Sequence, residues 1–234
     1  MIIGVVALVI LGILLSMGVW TMRKPEKIVY KEKVVYQESK TKKITDIKKY
    51  ENIVFLGDSI TDFYPIDSIY MDLPIVKSGI SGYTTNDILE RMDSMVYQYN
   101  PTSVFLLIGT NDIMFDESNE ESAIENIEKI ISNIKENRKK AKIYLESIYP
   151  VNKEVNSKMV RNRDNETIKD MNSKLKNYCE ENDIVYINMH DELTDEEGNF
   201  DAKYTDDGLH PNDLGYAKIS QMRLTYMYGI EVEK

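Results

Sequence analysis

The chain has little of the two residue types that most often carry metal and redox chemistry. One of its 234 residues is a cysteine, Cys179, and two are histidines, His190 and His210. A single cysteine excludes an intramolecular disulfide and any cysteine-rich zinc site. Two histidines leave few ways to build an imidazole-dependent active site. Basic charge is also in deficit, with 29 Lys and Arg against 39 Asp and Glu, a formal net charge of −10. That balance argues against a nucleic-acid-binding body, because phosphate contacts need clustered Lys and Arg. The chain contains no P-loop, no HExxH and no five-residue G-x-S-x-G elbow; in the Gly79 cluster, Tyr83 stands where that elbow needs its last glycine. No internal repeat or low-complexity tract is present. What remains has globular composition.

The averages conceal unlike pieces. Residues 1–22, MIIGVVALVILGILLSMGVWTM, carry no charged side chain. As a helix this run is about 33 Å long, enough to cross a bilayer. It lacks the basic start and short apolar core of a cleaved signal, so a retained transmembrane anchor is expected, with Trp20 suited to the interface. Residues 23–50 hold ten basic and four acidic side chains, a net +6, which leaves −16 on the rest of the chain. This segment reads as a solvated basic stalk, able to attract anionic headgroups if it lies at the membrane surface. Residues 51–234 are expected to form the soluble domain.

From residue 52 the pattern alternates. Short β-branched runs at 52–56, 74–77, 103–108, 142–148 and 184–187 predict strands. Helical stripes separate them: Ile88, Leu89, Met92, Met95 and Val96; then Ala123, Ile124, Ile127, Ile130, Ile131 and Ile134; then Ile168, Met171, Leu175, Tyr178 and Cys179. A last stripe, Leu214, Ala217, Ile219, Met222 and Tyr226, predicts a closing helix. Strands alternating with helices imply βαβ units and a parallel sheet covered on both faces.

In open α/β sheets ligands bind beyond the carboxyl ends of the strands. Four polar, glycine-containing clusters fall where they would meet on that rim: Gly57-Asp58-Ser59-Ile60-Thr61, Gly79-Ile80-Ser81-Gly82, Gly109-Thr110-Asn111-Asp112 and Asp207-Gly208-Leu209-His210-Pro211-Asn212. Serine-type acyl transfer needs a hydroxyl, an imidazole to take its proton, a carboxylate to orient that imidazole, and donors aimed at the developing oxyanion. Ser59 sits at a strand-to-helix turn. His210 is the candidate base, since His190 follows a different strand, and Asp207 lies three residues before it. Gly82 offers an unobstructed backbone N–H, and Asn111 a side-chain amide. Each fragment alone has an ordinary reading as a cap, a turn or a loop with a solvated histidine; their order after successive strands raises the joint case. A metal-dependent hydrolase using Asp58, Asp112, Asp207 and His210 is weaker, for want of ligand spacing. Cys179 reads as a small buried hydrophobe, His190 as a loop or core residue, and Tyr64 as either pocket lining or peripheral packing.

These four blocks, in this order, resemble the SGNH hydrolases, also called the GDSL-type lipase/acylhydrolase superfamily. The resemblance covers about residues 52–228, and Leu145-Glu146-Ser147-Ile148-Tyr149-Pro150-Val151-Asn152 is similar to the segment after the fourth strand in many members. It implies a three-layer α/β/α flavodoxin-like sandwich with a five-stranded parallel sheet. It further implies Ser59 as nucleophile, Asp207 and His210 as the rest of a triad, and an oxyanion hole of the Ser59 and Gly82 N–H groups and the Asn111 amide. No metal or organic cofactor is implied. Two positions depart from the pattern: Lys77, where many relatives have Asn, and Tyr83, where many have Asp. They bear on loop support and pocket shape. The expected activity is hydrolysis of short-acyl esters, acetyl foremost, on cell-wall or surface carbohydrates. A lysophospholipase-type activity and a catalytically silent glycan-binding domain are the alternatives. The positive-inside rule places the domain in the cytoplasm; anchored hydrolases resembling this one often act outside the cell.

Overall fold

The computed structural model describes residues 52–66, 73–114 and 120–228. The expected anchor (1–22) and basic stalk (23–50) lie outside the described residues. Among the described residues no helix is long and apolar enough to cross a membrane.

Five strands form one sheet: β1 (Ile53–Gly57), β2 (Ile75–Gly79), β3 (Ser103–Leu107), β4 (Lys142–Glu146) and β5 (Val185–Ile187). Their order is β2-β1-β3-β4-β5 and every pairing is parallel. Each strand lies within two residues of its predicted run. Because side chains alternate across a strand, Val54 and Leu56 enter one core with Val104, Leu106, Ile143 and Leu145, while Ile53 and Phe55 enter a second with Phe105, Leu107 and Tyr144. Both faces are therefore apolar, and both are covered by helices, as an all-parallel sheet requires.

The first core is closed by α4 (Glu120–Asn137) and α6 (Asn165–Glu181). All six residues of the predicted α4 stripe are buried, as are Ile168, Met171, Leu175 and Cys179 of α6. The shorter elements are α1 (Ser59–Asp62), α2 (Thr85–Leu89), α3 (Met92–Met95), α5 (Lys153–Val160) and α7 (Met189–Leu193). The stripe over residues 88–96 reads as one helix in the sequence but folds as α2 and α3. Arg91, at φ −125° and ψ 22°, leaves helical geometry between them.

The second core is closed by α8 (Asp213–Tyr228). Here the predicted face needs correction. Tyr216, Ile219, Ser220, Arg223 and Leu224 point inward, and Tyr226 is exposed. A period count over apolar residues could not find this face because an arginine, a serine and a tyrosine lie on it. Arg223 is fully buried, donating to Glu146 through Nε at 2.6 Å and Nη2 at 3.0 Å, and its guanidinium lies over Phe55 and Tyr64. Tyr64 is correspondingly a core residue, set edge-on to Phe55 and Tyr216, and not a pocket wall.

In this strand order the chain leaves β1 toward β2 on one side and reaches β3 on the other. The crevice beyond the carboxyl ends of β1 and β3 is thus the topological switch point, where ligands bind in such sheets. Ser59 follows β1, and Asn111 follows β3.

Candidate active site

Asp58 ends the β1 turn and caps α1, its Oδ1 accepting from the Ile60 N–H at 2.9 Å. This sets Ser59 at the first position of the helix, nearly buried at 7 % exposure. Ser59 Oγ lies 2.9 Å from His210 Nε2, and His210 Nδ1 lies 2.7 Å from Asp207 Oδ2. The other Asp207 oxygen accepts the backbone N–H groups of Leu209 at 2.9 Å and His210 at 2.7 Å. One carboxylate therefore shapes the loop and orients the ring. Burial pushes the Asp207 carboxyl up, but the hydrogen bonds from the His210 ring and from the His210 and Leu209 N–H groups outweigh it, and its pKa lies below the usual carboxylate value. It stays charged, able to stabilise an imidazolium.

The loop carrying Asp207 and His210 is docked firmly. Thr205 Oγ1 donates to the His210 carbonyl at 2.8 Å and accepts from Gly208 N–H at 2.9 Å. Gly208 has φ +76°, and a Cβ there would lie 2.2 Å from the Asn152 carbonyl oxygen. Only glycine fits that approach, which lets Asn152 N–H donate to the Gly208 carbonyl at 2.8 Å.

Gly82 and Asn111 are tied together and to Ser59's helix. Gly82 has φ +84°, and among the described residues nothing lies within 4 Å of the position a Cβ would take. The Asn111 Nδ2 donates to the carbonyl of the next residue, Tyr83, at 2.9 Å. Ser81 Oγ donates to Asp62 Oδ2, and Lys77 Nζ to the Asp62 carbonyl, each at 2.6 Å. Of the two unusual positions, Lys77 braces the end of α1 with its side chain, while Tyr83 meets the Asn111 amide through its backbone carbonyl, a contact independent of its side chain. Asp112 is buried, accepting from the Thr85 N–H at 3.1 Å and its hydroxyl at 2.6 Å, and so pins α2 to the β3 loop.

Three residues at the site are absent from the sequence-based set. Thr205 is one. Phe63 is another: its ring centroid lies 5.1 Å from that of His210, and it is 53 % exposed. The third is Arg163, buried between α5 and α6, which donates to Asn111 Oδ1. Phe63 and Thr205 sit beside recognised blocks and were open to notice. Arg163 stands 52 residues from its partner in a stretch without a motif. Asp58 is wholly buried; burial drives its pKa up to about 7, against the pull of the Ile60 N–H and of Arg163. Among the described residues its Oδ2 has no hydrogen-bond partner.

The geometry gives the metal reading no support. Among the described residues no three His, Cys, Asp or Glu side chains form a group that could hold a metal ion. Asp112 is committed to Thr85, and Asp207 to His210. His190 is buried and pairs with Asp191 at 3.2 Å, away from Ser59's partners. What the assembled residues offer is a hydroxyl in contact with an imidazole and a carboxylate behind it, an arrangement suited to nucleophilic chemistry.

The five-stranded parallel sheet thus carries the Ser59–His210–Asp207 contact at its switch point. The chain belongs to the GDSL-like lipase/acylhydrolase family, whose model matches residues 55–218. It is similar to a Streptococcus pneumonia protein named for platelet activating factor, at 35 % identity over 79 % of this chain and 88 % of that one, with TM-score 0.72. A GDSL-like lipase of Bacteroides thetaiotaomicron is 25 % identical over 75 % and 86 %, with TM-score 0.68. An acetyl xylan esterase of Geobacillus stearothermophilus, at 21 % identity over 79 % and 97 % with TM-score 0.61, shares the fold. A curated relative, the N-acylneuraminate cytidylyltransferase of Escherichia coli, is 30 % identical over 178 residues. The chain spans 40 % of that protein's length.

Proposed function

We propose that this hydrolase is a serine esterase that removes short acyl groups, acetyl foremost, from carbohydrate hydroxyls. The observation that carries the reading is the unbroken chain from Ser59 Oγ through the His210 ring to Asp207, at 2.9 and 2.7 Å. His210 takes the Ser59 proton as Oγ attacks the ester carbonyl. The oxyanion is received by the Ser59 and Gly82 N–H groups and the Asn111 amide. His210 then gives its proton to the leaving alcohol. Water, activated by the same imidazole, attacks the acyl-enzyme, and the acid leaves with Ser59 restored. Asp207 holds the ring in the tautomer with the proton on Nδ1 and stabilises its charged form.

The carbohydrate part of the reading rests on Phe63. Its exposed ring, 5.1 Å from the His210 ring, offers an apolar face on the leaving-group side for a sugar to pack against. The curated relative is itself named for a sugar acid. A second reading, lysolipid acyl hydrolysis, is favoured by one observation: Phe63, Ile80 and Met159, on segments bordering the site, are large apolar side chains left exposed. A panel of esters of graded acyl length, set against acetylated oligosaccharides, separates the two. Fastest turnover on acetyl esters and acetylated glycans supports the esterase; a rise in kcat/KM with chain length and release of fatty acid from lysolipid replaces it. A silent glycan-binding domain predicts no Ser59-dependent turnover on any of them.

We further infer that residues 1–22 anchor the hydrolase in a membrane, with residues 23–50 as spacer. The basic spacer favours the cytoplasmic side and the family resemblance the outer one. Protease treatment of intact cells reads the side directly: loss of the domain places it outside, and protection places it within.

A further inference from the structure

Arg163 is 2 % exposed, and its guanidinium bridges Thr110 and Asn111 after β3 to the end of α5. Nε donates to the Thr110 carbonyl at 2.7 Å and Nη2 to Asn111 Oδ1 at 2.7 Å. Nη1 donates to the Val160 carbonyl at 3.1 Å. A buried cation is a costly way to brace a loop, since burial disfavours its charged form. Neutral side chains could satisfy two carbonyls equally well.

The guanidinium does something a neutral brace cannot. It has donors and no acceptor, so the Asn111 amide can meet it only through Oδ1. That fixes Nδ2 on the opposite side, where one N–H goes to the Tyr83 carbonyl and the second remains for a ligand. The flipped amide would set its NH2 against the guanidinium and its oxygen against the Tyr83 oxygen, two repulsions at once. A positive charge at Oδ1 also draws electron density from the amide, which strengthens the remaining N–H as a donor.

We propose that Arg163 is a positioning residue for oxyanion stabilisation, locking the Asn111 amide in its productive orientation and polarising it. The inference rests on Asn111 being the side-chain oxyanion donor, as in the function proposed above. Because the oxyanion exists only in the transition state, removing Arg163 lowers kcat and leaves KM nearly unchanged.

The test is a double-mutant cycle on the full-length protein with an acetyl ester. Arg163→Lys keeps the charge and loses the planar fork. It is expected to lower kcat about 10- to 100-fold with KM within about threefold, a fraction of the effect of losing the donor itself. In an Asn111→Ala background the same change is expected to cost less than about threefold, since both residues act through one group. Guanidinium added at millimolar concentration is expected to restore part of the kcat of Arg163→Ala and none of that of Arg163→Ala/Asn111→Ala. Equal losses in both backgrounds would show that Arg163 merely supports the fold and would overturn the inference. Should Arg163→Ala not fold, the Arg163→Lys cycle carries the test alone. Failure of the underlying reading looks different: Asn111→Ala itself would then leave kcat unchanged.

Discussion

Ser59 Oγ and His210 Nε2 are in hydrogen-bond contact although 151 residues separate them in the chain. The sheet makes this possible: Ser59 is carried out of β1, and His210 is brought over by the loop that precedes α8. The imidazole contact is already formed without substrate, so little reorganisation stands between binding and proton transfer.

Asp207 orients that imidazole. Asp207→Asn keeps the size of the side chain but can place an NH2 against Nδ1, which selects the wrong tautomer. A loss of roughly 10³- to 10⁴-fold in kcat is expected. Circular dichroism should be unchanged, and steady-state kinetics on an aryl acetate gives the number. A loss below tenfold would remove Asp207 from the triad.

Asn111→Ala removes the proposed side-chain oxyanion donor and should lower kcat about 10²- to 10³-fold with little change in KM. The fall should appear equally on short and long acyl esters, since the oxyanion is common to both. A change confined to KM would make Asn111 a substrate-binding residue instead.

The same loops show how far the sequence alone could be read. Four motif blocks and five strand runs were legible because each depends on local pattern: glycine at a tight turn, alternation in a buried strand, a serine after a strand. The inward face of α8 was not, because Arg223 is buried through its pairing with Glu146, 77 residues away, and no periodicity count reveals a partner. Arg163 escaped for the same reason. Of the two departures from the family pattern, Lys77 contributes a side-chain contact to Asp62 that the motif does not predict, whereas Tyr83 meets Asn111 only through its backbone carbonyl. Long-range polar pairing is what local pattern does not encode.

The buried pair itself is a stability test. Glu146→Leu or Arg223→Met leaves one member unsatisfied in the second core, where Tyr149 also donates to Glu146 at 2.7 Å. Each single change is expected to cost about 3–5 kcal/mol in urea unfolding. The double replacement Glu146→Leu/Arg223→Met should recover much of that loss, because no orphaned charge remains. Additive losses would contradict the pairing account.

Asp58 makes stability depend on pH in an unusual direction. Its folded pKa, raised to about 7 by burial, exceeds the ordinary 3.8. Between these values the folded chain holds a proton that the unfolded chain has released, so stability from this group falls as pH rises from about 4 to about 7 and stays low above it. Asp58→Asn does not titrate. The stability of wild type relative to Asp58→Asn should therefore decline across that window by a few kcal/mol, on the order set by the shift. Urea unfolding of both proteins at pH 5 and pH 8 measures it; a pH-independent difference would contradict the raised pKa.

Phe63 tests the substrate reading. Phe63→Ala should raise KM about three- to tenfold for acetylated oligosaccharides, the loss of one aromatic contact, while ethyl acetate, whose alcohol portion carries no ring to lie on Phe63, changes little. An equal effect on both would place Phe63 in support of His210 and not under the sugar.

The central claim is that Ser59, activated by His210, is an acyl-transfer nucleophile. Treating the full-length protein with a fluorophosphonate and mapping the adduct by mass spectrometry tests it most directly. One adduct on Ser59 is expected, absent in Ser59→Ala and strongly slowed in His210→Ala, with ester turnover lost in step. A folded wild-type protein left unlabelled at Ser59, or Ser59→Ala with undiminished turnover, would contradict the account.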